Sequence, residues 1–197
     1  MKNVTKTYYN AYELKEINES GYWKAYDNYV TQNDGDYPYW NESKVAIERF
    51  LDLFNCKLIH LTMNSCYIDD FKFISNDYTW LYNEETEEED LLDIDEIEGK
   101  QIKEYLTINN LLEIIEKYDE CPLTGYYLDI DLLSPIVEYV KDENYNRNIT
   151  LYDLIHEGLS KALNIIDGDF EYMLSEEAFI DFCECNDLYF DIDGNLE

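Results

Sequence analysis

The stretch TLYDLIHEGLSKALNII, residues 150–166, predicts an amphipathic helix more clearly than any other part of this 197-residue chain. Thr150 and Asp153 resemble a capping box in which Asp replaces the usual Glu, and the DGD at 167–169 is expected to end the helix. The apolar residues keep to one helical face: Leu151, Leu154, Ile155, Leu159, Ala162, Leu163 and Ile166. Because such a face is stable only when covered, the stretch predicts a helix packed on a core.

Other stretches before residue 120 carry helical spacing as well. Residues 8–31 have a rough helical period, which Gly21 is expected to break into two helices. Ser43 suits the N-cap of a helix that stops near Asn55, and 101–118 predicts a further helix.

Two serines mark helix starts in the carboxyl-terminal half. Ser134 and Pro135 read as an N-cap followed by proline at the first helical position. Ser175 predicts the cap of a last helix that runs through Glu184 and buries Phe182 with its apolar neighbours. Helices are therefore expected on both sides of 150–166.

Alternating apolar residues predict strands at 57–63, 71–74, 78–82 and 188–192, with a turn at 76–77 that makes the second and third strands neighbours. The predicted fold class is α+β, a small antiparallel sheet with several packed helices. More than a quarter of the residues are Leu, Ile, Val or Phe, enough for a folded core. We expect one compact domain over 1–197, with subdomains 1–99 and 100–197 as an alternative division.

The formal net charge is −31. On duplex DNA that charge occupies roughly 50 Å of axis, and a compact chain of this length is roughly 40 Å across. The mean charge per unit length is therefore close to that of DNA. This excludes a general phosphate-binding surface and favours basic partners.

The acids concentrate where bases are missing. The stretch EETEEEDLLDIDEIE, residues 84–98, holds ten carboxylates among fifteen residues, and 73–99 contains no Lys or Arg. Two more base-free stretches run over 118–140 and 162–197. In 84–98 the spacing of Leu91, Ile94 and Ile97 permits a helix with one buried face, and a solvated acidic loop is the alternative.

We interpret these stretches as a negatively charged recognition surface, because carboxylates four residues apart on a helix lie about 6 Å apart along its axis. The predicted partner-binding residues are Glu84, Glu85, Glu87, Glu88, Glu89, Asp90, Asp93, Asp95, Glu96, Glu98, Asp129, Asp131, Asp167, Asp169, Glu176 and Glu177.

Catalytic and metal signatures are weak. His60 and His156 lie within apolar patterns that favour structural roles, and no nucleophile–base–acid signature is recognisable, so we predict no catalytic residues. Cys183 and Cys185 lack a second pair at zinc spacing. The DIDGN at 191–195 resembles the start of a calcium loop, but its glycine falls at the fourth position rather than the sixth. We therefore predict no metal and no cofactor.

Five cysteines, no signal sequence and no long apolar run predict a cytoplasmic protein with reduced thiols and no membrane contact.

The two ends of the chain carry a resemblance. YYNAYELKEINESGYWKAYDNY (8–29) and WNESKVAIERFLDLFNCKL (40–58) contain the patterns Y-x-x-x-E-L and W-x-E-S. EYMLSEEAFIDFCECNDLYFDIDGNLE (171–197) contains S-x-E-A and N-x-x-x-F-x-x-D-G. Together they resemble a family of small acidic proteins from phages and mobile elements, and the match covers less than half of the chain. In charge the chain is similar in kind to DNA-mimic anti-defence proteins, namely anti-CRISPR and antirestriction inhibitors. For a phage-encoded protein, that similarity implies the host cytoplasm.

These observations predict a DNA-mimicking inhibitor that blocks the nucleic-acid-binding groove of a bacterial defence nuclease, such as a CRISPR effector or restriction enzyme. No direct binding to nucleic acid is expected. The alternative is an acidic antitoxin or chaperone-like binder that neutralises a basic partner protein.

Overall fold

The computed structural model describes residues 7–33, 37–64, 67–75, 78–83, 88–142 and 148–197, and at 62–64, 67–70, 82–83 and 88–90 the backbone alone. In that part of the chain there are eight α-helices, four strands and one 3-10 helix. They are α1 (Ala11–Ile17), α2 (Glu19–Asn33), α3 (Trp40–Leu53), β1 (Cys56–Asn64), β2 (Tyr67–Ser75), β3 (Thr79–Asn83), β4 (Glu88–Leu92), α4 (Lys100–Ile108), α5 (Leu112–Glu116), the 3-10 helix η1 (Tyr118–Glu120), α6 (Leu128–Lys141), α7 (Leu151–Met173) and α8 (Glu176–Cys185).

The α+β fold class is confirmed, but the strands pair differently from the prediction that the second and third strands are neighbours. β1 pairs with β2, and β3 pairs with β4 in a separate two-stranded sheet. The second pair is antiparallel, with Trp80 opposite Leu91 and Leu81 opposite Asp90. The helix expected within 84–98 is therefore wrong, because part of this stretch is the partner strand of β3. The turn expected at 76–77 lies outside the described residues.

The chain divides into two compact units. The terminal unit holds the described residues of 1–37 and 64–66 together with 167–197, and the central unit holds those of 38–63 and 67–166. Helix α7 contributes its residues up to Ile166 to the central unit and the rest to the terminal unit. The predicted single domain over 1–197 stays a prediction.

Helices α1, α2 and α8 form the core of the terminal unit. Phe179 is its centre, with ring centroids 5.7 Å from Tyr22 and 5.4 Å from Tyr29. Phe190 closes the core and exchanges two backbone hydrogen bonds of 2.8 Å with Tyr9. The strand predicted at 188–192 is wrong, because only this isolated bridge and one to Leu196 form there.

The central unit is built on α3, α6 and α7. Phe50 and Ile136 are fully buried, as is Ile155 on the predicted apolar face of α7. A Cβ atom added at Gly158 would lie 2.2 Å from the Leu132 carbonyl oxygen, so α6 and α7 approach as closely as only glycine permits. The helix predicted over 150–166 is confirmed, because α7 includes Leu151 to Ile166.

Several helix boundaries differ from those predicted. The first helical stretch breaks at Asn18, whose backbone is extended, whereas Gly21 lies inside α2. Ser43 is buried in the interior of α3, which begins at Trp40. Helix α7 continues past Gly168 to Met173.

The helix predicted over 101–118 is divided into α4, α5 and η1, because Asn110 adopts a φ of 57° between the first two. The start predicted at Ser134 is also wrong, since Pro135 lies inside α6. Pro135 has no backbone N–H to donate to the Asp131 carbonyl one turn earlier in the helix. The Ser134 hydroxyl donates to that carbonyl instead, at 3.2 Å.

Two of the predicted capping signals, at Thr150 and Ser175, are confirmed. The Thr150 hydroxyl accepts the Asp153 N–H at 3.1 Å, while the Asp153 carboxylate accepts the Thr150 N–H at 3.0 Å. Ser175 caps α8 by accepting the Ala178 N–H at 3.1 Å. Phe182, however, is 46% exposed rather than buried.

Candidate acidic interaction surface

The sixteen predicted partner-binding residues fall into three groups. Glu84, Glu85 and Glu87 lie outside the described residues, and the next three carboxylates are strand residues of β4, described by backbone alone. Six others belong to the central unit: Asp93, Asp95, Glu96, Glu98, Asp129 and Asp131. Four belong to the terminal unit: Asp167, Asp169, Glu176 and Glu177.

The acids that follow β4 form a tight turn. The Asp93 carboxylate accepts the Ile94 N–H at 2.7 Å, and the Glu96 carboxylate accepts the Asp93 N–H at 3.0 Å. Ile94 and Ile97 are buried beneath the turn, whereas Asp95 and Glu96 are exposed. Two of the three apolar residues of the predicted helix, Ile94 and Ile97, therefore anchor a turn.

This turn lies at the amino-terminal end of α7. The Ile97 and Ile94 carbonyls accept the N–H groups of Leu151 and Tyr152 at 2.8 and 3.0 Å. These N–H groups have no partner within the helix, so the turn satisfies them. The same helix end carries partial positive charge, which stabilises nearby carboxylates.

The sheet of β3 and β4 presents apolar residues to solvent. Trp80 is 59% exposed and its cross-strand partner Leu91 is 47% exposed. Tyr78, two residues before Trp80, is also exposed, whereas Leu81 points to the opposite face and is buried. Sequence reasoning assigned Leu91 to a buried helix face. The alternation of Tyr78 and Trp80 was the signal for this exposed face.

A row of carboxylates lies along α8. Glu177, Asp181 and Glu184 are spaced by four and three residues, and all three are exposed. At 1.5 Å of rise per residue they lie about 6 and 4.5 Å apart along the helix axis. Only Glu177 was predicted as a surface residue. The spacing within the correctly predicted helix was the signal that would have identified Asp181 and Glu184.

Aromatic side chains accompany this row. The Tyr172 hydroxyl donates to the Asp181 carboxylate at 3.0 Å, and this hydrogen bond is the main cause that raises the pKa of Tyr172. The exposed ring of Phe182 lies 5.4 Å from the ring of Tyr29. The row therefore combines charge with exposed aromatic area.

The described residues of the terminal unit contain two basic side chains, and both have partners away from the row. Lys15 pairs with Glu176 and lies 5.1 Å over the Tyr22 ring. Lys24 donates to the Asp193 carbonyl and to the Asn195 side chain at 3.2 and 2.7 Å. Within that described part, no lysine or arginine neutralises the α8 row.

Glu176 is a structural carboxylate rather than a displayed one. It joins α8 to α1 through Lys15 and to α2 through the Tyr22 hydroxyl, which donates to it at 2.8 Å. The Lys15 contact, followed by that of Tyr22, lowers the pKa of Glu176 below its usual value. Elsewhere in the terminal unit, Asp169 accepts the Tyr37 hydroxyl at 3.1 Å.

Asp129 is fully buried, so it does not belong to an exposed surface. Its carboxylate accepts the N–H groups of Leu123 and Thr124 at 2.9 and 2.7 Å and the Thr124 hydroxyl at 2.9 Å. It therefore holds together the turn before α6. Asp131 is half-buried, and burial raises its pKa although Lys161 opposes that change.

His156 and the calcium-like turn have contacts within the fold, and both histidines are exposed. The His156 ring lies 4.7 Å from the Phe71 ring, and His60 is exposed in β1. The Asp191 carboxylate accepts the N–H groups of Asp193 and Asn195 within its own turn. No group of three or more His, Cys, Asp or Glu in the described residues is arranged to hold a metal ion.

No helix among the described residues is long and apolar enough to cross a membrane. Comparison of the chain with protein-family models, curated proteins and solved structures found no match. The resemblance to acidic phage proteins therefore stays a prediction.

Proposed function

We propose that the protein is an acidic DNA mimic that inhibits a bacterial defence nuclease, of the CRISPR-effector or restriction-enzyme type, by occupying its nucleic-acid-binding groove. The observation that carries the proposal is the exposed α8 row, Glu177, Asp181 and Glu184, which has no basic neighbour among the described residues of its unit. A rigid line of carboxylates about 5 Å apart can meet the Lys and Arg side chains that otherwise contact phosphates.

Glu177 lies in the first turn of α8, where the helix dipole favours a carboxylate, but the far end of the row is unfavourable for stability, which supports a functional reason for it. Carboxylates destabilise the carboxyl-terminal end of a helix, and Glu184 lies in the last turn of α8, where no basic residue is present. Carboxylates four residues apart also repel each other. Departures from local rules of this kind are expected where function requires them.

The acidic turn at 93–98 and the adjoining strand β4 supply a second source of negative charge. Asp95 and Glu96 are exposed on a turn that the α7 backbone holds in place. The charge would accelerate encounter with a basic groove and would make affinity fall as salt rises.

A direct experiment measures plasmid cleavage by purified CRISPR effectors and restriction enzymes in the presence of the protein. Inhibition of a susceptible enzyme should be relieved by excess non-specific duplex and should weaken steadily from low to high salt. A susceptible enzyme whose affinity for the protein is unchanged across that salt range would contradict the mimic proposal.

The role of the row is tested by the triple variant Glu177→Gln, Asp181→Asn, Glu184→Gln. Its matched control is Glu48→Gln, Asp52→Asn, Glu113→Gln, which changes the net charge equally but removes carboxylates that already face Lys44, Arg49 and Lys117. We expect the first variant to lose about tenfold or more in inhibition, because rim charges contribute up to about 1 kcal/mol each, and the control to lose much less. Equal losses would attribute the effect to net charge alone.

The alternative, an acidic antitoxin or chaperone-like binder of a basic protein, is favoured by the exposed pair Trp80 and Leu91. The phosphate backbone of DNA has no apolar area that such a pair would imitate. The two functions differ in competition: duplex DNA displaces a mimic from its target, whereas it leaves a complex formed at another basic surface intact.

A further inference from the structure

We infer that Trp80 and Leu91 form an anchor point that receives an arginine side chain from the basic partner protein. The inference rests on the proposed function in one respect, namely that the partner is basic. It adds the site on the central unit and the side chain that the site selects.

The geometry begins with the antiparallel register of β3 and β4. Trp80 and Leu91 are directly opposite each other, so their side chains lie on one face of the sheet. Both are about half exposed, and Tyr78, which immediately precedes β3, is 63% exposed. The opposite face is fixed, because Leu81 is buried with 1% exposure. The indole therefore stands on a supported strand with its ring accessible.

The surrounding charge determines what can cover this face. The sequence from 73 to 99 contains no Lys or Arg, and Asp95 and Glu96 are exposed within five residues of Leu91. A cation that lies on the indole is therefore also attracted by the negative charge of this base-free stretch. Arg fits better than Lys, since its planar, weakly hydrated guanidinium stacks on aromatic faces and bonds carboxylates in pairs.

A second copy of this chain is a poor occupant. Self-association would place one base-free acidic stretch against another, in a protein with a net charge of −31, and the Coulomb term would oppose it at low salt. The same low salt strengthens the attraction of a basic partner. Charge complementarity thus favours an arginine-bearing surface over a homodimer.

The test uses two peptides of equal charge, nona-arginine and nona-lysine, titrated calorimetrically into the full chain at low salt. The variant is Trp80→Leu, and the control is Trp23→Leu, which removes a 39%-exposed indole from the terminal unit. We expect Trp80→Leu to weaken nona-arginine binding about fivefold and nona-lysine binding less than twofold. The control should change neither.

A second measurement avoids substitution at the anchor. In the variant Trp23→Phe, Trp40→Phe the remaining tryptophan is Trp80, and saturation with nona-arginine should shift or quench its emission. Unchanged emission at saturation would overturn the inference even if Trp80→Leu failed to fold.

The remaining outcomes separate the two proposals. Equal nona-arginine affinity in Trp80→Leu and the wild type would reject the anchor and leave the acidic inhibitor intact. Failure of both peptides to bind at low salt would reject the proposed function as well. A wild-type dimer in sedimentation equilibrium that Trp80→Leu abolishes would assign the face to self-association and overturn the inference.

Discussion

Substitution of Asp129 by asparagine tests whether a carboxylate predicted to bind a partner is structural instead. The side chain is fully buried and ties together residues 123–125 before α6. Two of its bonds to backbone N–H groups are short, 2.7 Å to Thr124 and 2.9 Å to Leu123, and a third, to Gly125, is 3.3 Å. The other oxygen accepts the Thr124 hydroxyl.

The magnitude follows from these contacts. A hydrogen bond to a charged group contributes about 1.5–3 kcal/mol and a neutral one about 0.5–1.5 kcal/mol, so asparagine loses about 1 kcal/mol at each of the two short bonds. The new amide group can still donate to the Thr124 hydroxyl. We expect Asp129→Asn to lower the free energy of unfolding by about 2 kcal/mol and Tm by about 4–8 °C. Asp129→Ala leaves both N–H groups unsatisfied and should cost about 3–5 kcal/mol.

The assay is urea unfolding followed by tryptophan fluorescence, with partner binding measured on the folded fraction. The control is Asp131→Asn. Because burial raises the pKa of Asp131, loss of that charge should leave stability equal or slightly higher at pH 7. An Asp129→Asn protein of wild-type stability that has lost partner binding would refute the structural assignment.

Three further results are expected. Because the folded state lowers the pKa of Glu176, this carboxylate contributes stability that is fully present above pH about 4.5 and is lost as the pH falls through its folded-state pKa. The variant Lys15→Met should make this acid-induced loss of stability smaller in unfolding curves. Iodoacetamide should label exposed Cys185 well before Cys183, whose pKa burial raises to about 11, and mass spectrometry should show equal rates if that burial is wrong. Gly158→Ala should lower Tm by several degrees, because its Cβ would contact backbone of α6, and an unchanged Tm would argue against that close packing.

The local signals at Thr150 and Ser175 predicted helix starts correctly, although the equally local signals at Ser43 and Ser134 did not. The Thr150–Asp153 box and the Ser175 cap each act within one turn of helix, so the residues that form each cap lie only three positions apart in the sequence. The long apolar face of α7 predicted its buried side for the same reason.

Sequence reasoning failed where distant contacts outweigh local preference. A glycine inside a helix costs about 1 kcal/mol, but α7 continues through Gly168. Burial of Phe170, of which 1% remains exposed, offsets that cost. Pro135 is tolerated in α6 because Ser134 satisfies the carbonyl that proline leaves without a helical bond. Spacings of three among a few apolar residues did not distinguish a helix from the strand and turn around Ile94, since the pairing of β4 with β3 is non-local.

For the candidate surface, composition predicted the kind of charge but not which carboxylates display it. Burial decides that, and burial depends on tertiary packing. Asp129 and Glu176 belong to base-free stretches, yet the first satisfies buried N–H groups and the second joins three helices. Asp181 and Glu184 were not predicted, although both are exposed.

The two kinds of carboxylate should respond to neutralisation with opposite signs. Asp153 bonds the backbone at a helix start, so its amide variant should lose about 1 kcal/mol of stability and leave partner binding unchanged. In the α8 row, neutralising Glu177, Asp181 and Glu184 loses one favourable charge in the first turn, but it removes the mutual repulsion and an unfavourable charge at the far helix end, so net stability should be equal or slightly higher while inhibition falls. Only a displayed, functional charge combines a gain in stability with a loss of binding. A row whose neutralisation destabilises the fold would be structural, and the proposed surface would then have to lie elsewhere.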